Sequence, residues 1–264
     1  SISKVKSTGL SIMYMKNSID IYWEGSIETN NNGNINNDLL FNSPKPLLQY
    51  LKKTYPLSPL RSPNPNETSP VANYFQCPAA TNYLKNIYII ESPVDFTLEI
   101  DKNNPKNPIM FYCALDMLKL RSFIDSFFEL SYFCTFFTEE KNLKIELINP
   151  SFHNTDFSRN TTIFEGSYNI GKWFRGIHPN FVLHKSKINV KKGEPLYYIK
   201  FNTDKNIKFK NYNLSPELIK LESNNVKYKH IISKTPLSKL YSLFISKNYH
   251  KRILKEIKNN LTGY

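Results

Sequence analysis

Cysteine is scarce in this 264-residue chain: Cys77, Cys113 and Cys134 lie far apart and show no CxxC spacing. That excludes a disulfide framework or a zinc ribbon and reads as reduced thiols in the core of a protein from a reducing compartment. No stretch approaches the roughly 20 uninterrupted apolar residues that a membrane-spanning helix needs. The opening Ser1-Ile2-Ser3-Lys4 lacks the apolar region of a signal peptide. The expectation is a chain with no membrane partner that stays where it is made. Glycine is also sparse, at eight residues, and neither GxGxxG nor GxxxxGK followed by Ser or Thr occurs. With no GxSxG elbow and no cysteine in a catalytic signature, the usual dinucleotide, P-loop and hydrolase sites are excluded, and no cofactor is expected.

Hydrophobic residues make up 40% of the chain and aromatic residues 14%. At this length that is enough to bury a sizeable core without disulfides or metal. Charge is unevenly spread: from Lys172 onward there are 20 Lys/Arg against 5 Asp/Glu, whereas residues 1–171 hold 15 against 17. The whole net charge of +13 therefore sits in the last third, a natural electrostatic footprint for nucleic acid or another polyanion. A second explanation competes. Lys, Asn, Ile and Tyr, all abundant here, have AT-rich codons, and only five residues are Arg, the side chain suited to bidentate phosphate recognition.

The hydrophobic periods predict a mainly β protein, an antiparallel β-sandwich or jelly-roll-like barrel with C-terminal helices. Residues 1–71 read as an irregular N-terminal segment wrapping the core, despite a strand signal at Ser18–Trp23 and a short helix at Pro46–Lys53. Its prolines at 56, 59, 63, 65 and 70 oppose regular structure. Residues 72–214 read as the core. Asn82–Glu91 and Phe96–Ile100 read as strands paired around Ser92-Pro93-Val94-Asp95. Ile109–Cys113 follows, and then Leu130–Thr138 and Leu143–Ile148, joined by Glu139-Glu140-Lys141-Asn142. Asn180–His184, Lys187–Val190, Pro195–Phe201 and Ile207–Phe209 complete the set. Residues 215–264 read as basic helices packed on the core. Ser215-Pro216 and Thr235-Pro236 place a capping hydroxyl before a proline, and Leu237, Leu240, Tyr241 and Phe244 recur at helical spacing. His250–Asn260 is amphipathic.

At Cys77-Pro78-Ala79-Ala80, Ser92-Pro93-Val94-Asp95-Phe96, Gly166-Ser167-Tyr168-Asn169-Ile170-Gly171-Lys172-Trp173 and Lys192-Gly193-Glu194-Pro195-Leu196-Tyr197-Tyr198, the chain resembles uncharacterised proteins encoded by large contractile-tailed phages of marine bacteria. The resemblance implies a phage origin and a place in the host cytoplasm or the virion, and it carries no activity. Ile188–Ile199, a strand, a Gly-containing turn and a strand, is similar to the closing hairpin of dUTPase-like β-clip folds and of cupin barrels. The nucleotide-binding motifs of dUTPases are absent.

Four residues, His153, Asp156, His178 and His184, are the best metal-like constellation. Two histidines and a carboxylate hold Fe(II) in cupin-type oxygenases, but Pro179 and the His153–Asp156 spacing fit that geometry poorly. The block Lys172-Trp173-Phe174-Arg175 offers rings that stack bases beside cations that hold phosphates, against the rival that Trp173 is core. Any polyanion contact is expected to use Lys247, Lys251, Arg252, Lys255 and Lys258 with Lys172 and Arg175. The function expected is thus a phage-encoded, non-catalytic accessory protein binding a protein or nucleic-acid partner, as a virion component or a host-takeover factor. The rival is a small-molecule enzyme or binding protein of cupin or β-clip type, using the barrel interior with or without a metal.

Overall fold

A computed structural model describes residues 18–25, 27–28, 35–36, 43–54, 77–101, 103–104, 109–113, 119–122, 126–131, 134–231 and 236–262. In chain order the strands are β1 (Ser18–Glu24), β2 (Ile27–Glu28), β3 (Ile35–Asn36), β4 (Lys45–Pro46), β5 (Ile87–Glu91), β6 (Phe96–Ile100), β7 (Ile109–Cys113), β8 (Lys119–Ser122), β9 (Phe127–Ser131), β10 (Cys134–Thr138), β11 (Lys144–Ile148), β12 (Thr161–Ile163), β13 (Ser167–Asn169), β14 (Gly176–Ile177), β15 (Asn180–Leu183), β16 (Lys187–Val190), β17 (Pro195–Phe201) and β18 (Asn206–Asn211). The helices are α1 (Leu47–Thr54), α2 (Pro78–Leu84), α3 (Asp156–Asn160), α4 (Pro216–Ile231), α5 (Leu237–Ser246) and α6 (Tyr249–Asn259).

The strands form two bent layers. In the first, β14-β10-β1-β18 continues into β12-β15-β9-β8, with Leu130 N–H donating to Pro179 C=O across the bend at 3.1 Å. In the second, β13-β11-β17-β5-β4 continues into β16-β6-β7. Pairing is antiparallel throughout the layers except for β1 with β18, which is parallel. Alternate residues of both layers meet in one core that includes Ile19, Ile21 and Trp23 of β1, Phe136 of β10, Leu98 of β6, Ile145 of β11, Ile188 of β16 and Ile199 of β17. The mainly β, sandwich-like architecture with C-terminal helices is therefore the one that the strand periods predict.

The predicted pairings fare less well than the predicted strands. Neither Ser92–Asp95 nor the Gly193 turn closes a hairpin: β5 pairs with β17 and β6 with β16. Two long antiparallel segments instead kink side by side, locked by Ser92 N–H to Glu194 C=O at 2.7 Å and Gly193 N–H to Ser92 C=O at 2.8 Å. Gly193 sits there at φ +86°, a left-handed conformation in which a Cβ is strained. The Glu139–Asn142 link likewise carries the chain from one layer to the other, and Gly171 packs against it so closely that a Cβ would lie 2.0 Å from the Glu140 carbonyl oxygen.

Residues 82–84 are helical rather than extended, because Pro78 opens α2 and the Thr81 hydroxyl bonds back to Cys77 C=O. Asn86, at φ 60°, turns the chain into β5. The strand at Ser18–Glu24 lies between β10 and β18 in the core, so the sandwich begins well before residue 72. Its alternation decides this: Ile19, Ile21 and Trp23 share one face and are each at most 5% exposed. The stretch of residues 55–76, with its prolines, lies outside the described residues. Of the three cysteines only Cys134 is core; Cys77 is exposed and Cys113 is half-buried.

Both outer faces of the sandwich are covered by helices. Tyr22, Phe137 and Tyr212 point out of the first layer into Leu218, Leu221, Phe244, Ile253 and Ile257 of α4–α6. Ile87, Ile89 and Tyr198 point out of the second into Leu47 and Leu51 of α1 and Leu84 of α2.

Candidate functional site: a basic helical cap with an apolar pocket

The α4–α6 cap starts where the sequence signals it. Ser215 Oγ accepts the Leu218 N–H at 3.2 Å, and Pro216 is the first helical residue. The second predicted cap, Thr235, lies outside the described residues; Pro236 immediately precedes α5. Asn248, left-handed at φ 59°, turns α5 into α6. Asparagine tolerates that conformation better than most residues.

Between these helices and the 173–175 segment is a small apolar pocket, with a cavity volume of about 30 Å³, lined by Trp173, Asn225, Leu240, Leu243, Phe244, Lys247 and Tyr249. Its walls are fixed from behind. Buried Asn225 donates Nδ2 to the Phe174 carbonyl at 3.0 Å. Phe174, fully buried, meets Phe137 edge-on with ring centroids 5.4 Å apart. Trp173 is half-buried, its ring 6.0 Å from Phe244 and 6.2 Å from Tyr241. Both rings of the Trp-Phe block are thus committed to the cap, and neither forms an open platform on which bases could stack.

The outer surface of the cap is cationic. Between Pro236 and Thr262 there are six basic residues and one acid, Glu256. Glu256 is engaged locally, accepting from Ser215 Oγ at 2.8 Å and Asn260 Nδ2 at 3.1 Å. On α6 the apolar residues Ile253 and Ile257 face inward, leaving Lys251, Arg252, Lys255 and Lys258 exposed. Arg252 pairs with Glu217, and Lys258 pairs with Glu139. The ammonium of Lys258 holds the Glu139 carboxyl below its usual range. Lys247 is exposed and lines the pocket, while Lys172 and Arg175 are half-buried, the latter within electrostatic reach of Tyr168 and Tyr241. Of the seven expected polyanion contacts, the fold gathers Lys251, Lys255 and Lys258 along one stripe of α6 and Lys247 at the pocket.

Beneath α4 lies a polar cluster that sequence patterning did not reveal. Glu24 and Thr135 are cross-strand partners, and each is 1% exposed. Glu222 of α4 accepts the Gly176 N–H. Burial, with the nearby charges of Glu24 and Glu222, pushes the Tyr212 phenol well above its ordinary pKa. Glu24 falls on the face of β1 opposite Ile19, Ile21 and Trp23, so alternation alone assigns it to solvent; α4 covers it instead. Leu243, Asn225 and Tyr249 of the pocket were equally invisible, because they come from three separate helices.

The proposed metal residues are not brought together. His153 Nδ1 is 2.6 Å from the Tyr198 hydroxyl, and its ring lies 4.4 Å from Tyr50; burial lowers its pKa. Asp156, the first residue of α3, accepts from Asn160 Nδ2, Lys185 Nζ and the Asn189 N–H at 2.9–3.1 Å. His178 faces Glu129 at 3.5 Å, and His184 Nε2 is 2.7 Å from the Thr162 hydroxyl. Among the described residues no three His, Cys, Asp or Glu side chains converge as metal ligands, and no helix is long and apolar enough to cross a membrane. Compared with models of known families, with curated proteins and with solved structures, the chain matches none.

Proposed function

We propose that this chain is a non-catalytic accessory protein, of phage origin by its sequence resemblance, that binds an acidic protein partner through its α4–α6 cap. The carrying observation is that an apolar pocket and an exposed cationic helix face occur together on the cap. An apolar centre with a charged rim is the anatomy of a protein interface. An acidic protein fits better than nucleic acid, since Phe174 is buried, Trp173 is packed against Phe244, and Arg252 is already paired with Glu217. The rival, a ligand held inside the sandwich, has little room: Phe128, Phe136, Phe157, Phe181, Tyr197 and Phe201 fill the interior and are each at most 1% exposed.

Binding to poly-L-glutamate and to a DNA duplex, measured over a salt series, tests the reading. The full chain is expected to bind poly-L-glutamate at low ionic strength. The charge reversals Lys247→Glu, Lys251→Glu and Lys255→Glu together are expected to weaken that binding roughly tenfold or more. These exposed substitutions are better probes than removing the chain after Ser246, which would strip Ile253 and Ile257, both 0% exposed, from the cap core. No binding to poly-L-glutamate, or stronger binding to the duplex, overturns the proposal.

A further inference from the structure

We propose that a single Ca²⁺ ion binds beneath α4, held by the carboxylates of Glu24 and Glu222 and the hydroxyls of Thr135 and Tyr212. The strand register puts these groups in one row. Glu24 of β1 lies opposite Thr135 of β10, and Thr135 lies opposite Gly176 of β14. On the other side of β1, Trp23 is level with Asn211 of β18, and the next residue, Tyr212, donates its N–H to Trp23 C=O at 3.3 Å. Glu24 and Thr135 are each two residues from a member of the cap cluster, Tyr22 and Phe137, and Tyr212 belongs to that cluster itself. Residues two apart share a face of a strand, so all three side chains rise from the first layer toward the helices. Glu222 comes down on the row from α4, accepting the Gly176 N–H.

The two hydroxyls point to a ligand. Thr135 and Tyr212 are each 1% exposed, and neither hydroxyl has a hydrogen-bond partner among the described residues. Buried polar atoms are almost always satisfied, by protein or by something bound. A water molecule alone would serve the hydroxyls but not the charge around them. The charged groups that bear on the Tyr212 hydroxyl are Glu24 and Glu222, both acidic. Arg175, the basic neighbour of Gly176, bears instead on Tyr168 and Tyr241. Carboxylates brought together away from water favour a cation between them.

The donor set chooses the ion. All four side chains offer oxygen, which suits hard cations; the sulfur of Cys134, next to Thr135 in sequence, belongs to the core on the opposite face of β10. Among the described residues no third acid, His or Cys joins the two glutamates, so the hydroxyls complete the side-chain set. With two carboxylates, a divalent ion leaves the row neutral. Mg²⁺ dehydrates reluctantly and keeps several waters, which a row sealed under a helix has little room for, whereas Ca²⁺ takes about six to eight oxygens, charged or neutral, in flexible geometry. Bound there, the ion ties α4 to β1, β10 and the end of β18.

The test uses the full chain freed of metal with a chelator, titrated with CaCl₂ or MgCl₂ and followed by calorimetry and by melting temperature. One Ca²⁺ is expected to bind per chain, and Ca²⁺ at about a hundredfold above its measured Kd is expected to raise the melting temperature by roughly 5–10 °C. Mg²⁺ at the same concentration is expected to raise it by less than about a third as much. Glu222→Gln keeps an oxygen for the Gly176 N–H and removes one charge; it is expected to weaken Ca²⁺ binding at least about tenfold. Tyr212→Phe keeps the ring and its packing while removing one ligand oxygen, and is expected to weaken binding in the same direction. No heat and no thermal shift with Ca²⁺, the behaviour of a row satisfied by water alone, overturns the inference. Binding that both substitutions leave unchanged also overturns it, by placing the ion on surface carboxylates. An equal response to Mg²⁺ overturns the assignment to Ca²⁺ and so the inference as stated.

Discussion

The two outer faces of the sandwich are built by the same rule and finished differently. On each, the residues that alternate away from the core are large and apolar: Tyr22, Phe137 and Tyr212 on one, Ile87, Ile89 and Tyr198 on the other. A sheet with two apolar faces needs a cover on both. Two short helices close the second layer, with Leu47, Leu51 and Leu84 each at most 2% exposed. Three longer helices cover the first, yet they leave the Trp173 pocket between them and seal Glu24, Thr135 and Tyr212 underneath. The second cover is apolar beneath its helices and carries a larger, more polar groove at its edge, lined by Lys45, Gln49, Tyr50, Lys53 and Glu91. The α4–α6 cap combines an apolar pocket with a cationic helix face, and the candidate interface is assigned to it for that reason.

If the cap is structural as well as functional, emptying its centre should cost as much as emptying the opposite cover. Phe137→Ala removes a fully buried ring that touches Phe174, Phe244 and His250. It is expected to lower stability by about 3–5 kcal/mol. Leu84→Ala, at 1% exposure under α1, is expected to cost about 2–5 kcal/mol. Denaturant unfolding of both variants measures the difference. A Phe137→Ala cost below about 1 kcal/mol, far short of that range, would mean that the cap is loosely held, reversing the comparison.

The two glycines that shape the layers sharpen the contrast between crowding and backbone strain. A Cβ on Gly171 meets the backbone of Glu140 and Lys141, whereas one on Gly193 meets nothing within 4 Å but is strained by φ +86°. Gly171→Ala is expected to cost about 1–3 kcal/mol or more, as overpacking does against rigid backbone. Gly193→Ala is expected to cost about 1–2 kcal/mol, the price of an L-residue in the left-handed region. Thermal unfolding of the pair orders them; equal melting temperatures would show that the Glu139–Asn142 link yields.

The smallest effect is pH-dependent: His250 contributes to it in the cap, and His153, whose pKa burial also lowers, contributes from the other face. His250, 5% exposed, has Nε2 at 3.2 Å from the Thr138 carbonyl and packs on Phe137. Burial lowers its pKa; the Thr138 carbonyl opposes this, the Lys141 ammonium adds to it and Glu139 counters it. The unfolded chain therefore takes up the proton first, so stability is fully present above the unfolded imidazole pKa and is lost as pH falls from there through the lowered folded value. Glu139, whose pKa is lowered by Lys258, adds a further loss as pH falls below the ordinary glutamate range. His250→Gln is expected to flatten the slope of stability between about pH 7 and 5. It should leave the loss at lower pH in place. Melting curves over that range decide, and an unchanged slope would place the titrating group elsewhere.

Much of the secondary structure was legible. Lys187–Val190 and Pro195–Phe201 are strands with the bounds their alternation gives, and Ser215-Pro216 opens α4. Of the candidate site, Trp173 and the lysines of α6 were legible from composition and spacing. The pocket was not, since Asn225, Leu243 and Tyr249 come from three helices whose packing no local pattern encodes.

A period of two fixes that a segment is extended and which residues share a face, and a hydroxyl before proline fixes where a helix begins, because both depend on neighbours along the chain. Partner strands, by contrast, depend on which buried faces fit. A short Gly-containing link serves equally for a hairpin and for the side-by-side kink seen at Ser92 and Gly193. Glu24 shows the same division: its phase on β1 was set by sequence. Its burial was decided only by the arrival of α4, because a single carboxylate at an outward position reads the same whether solvent or a covering helix lies over it.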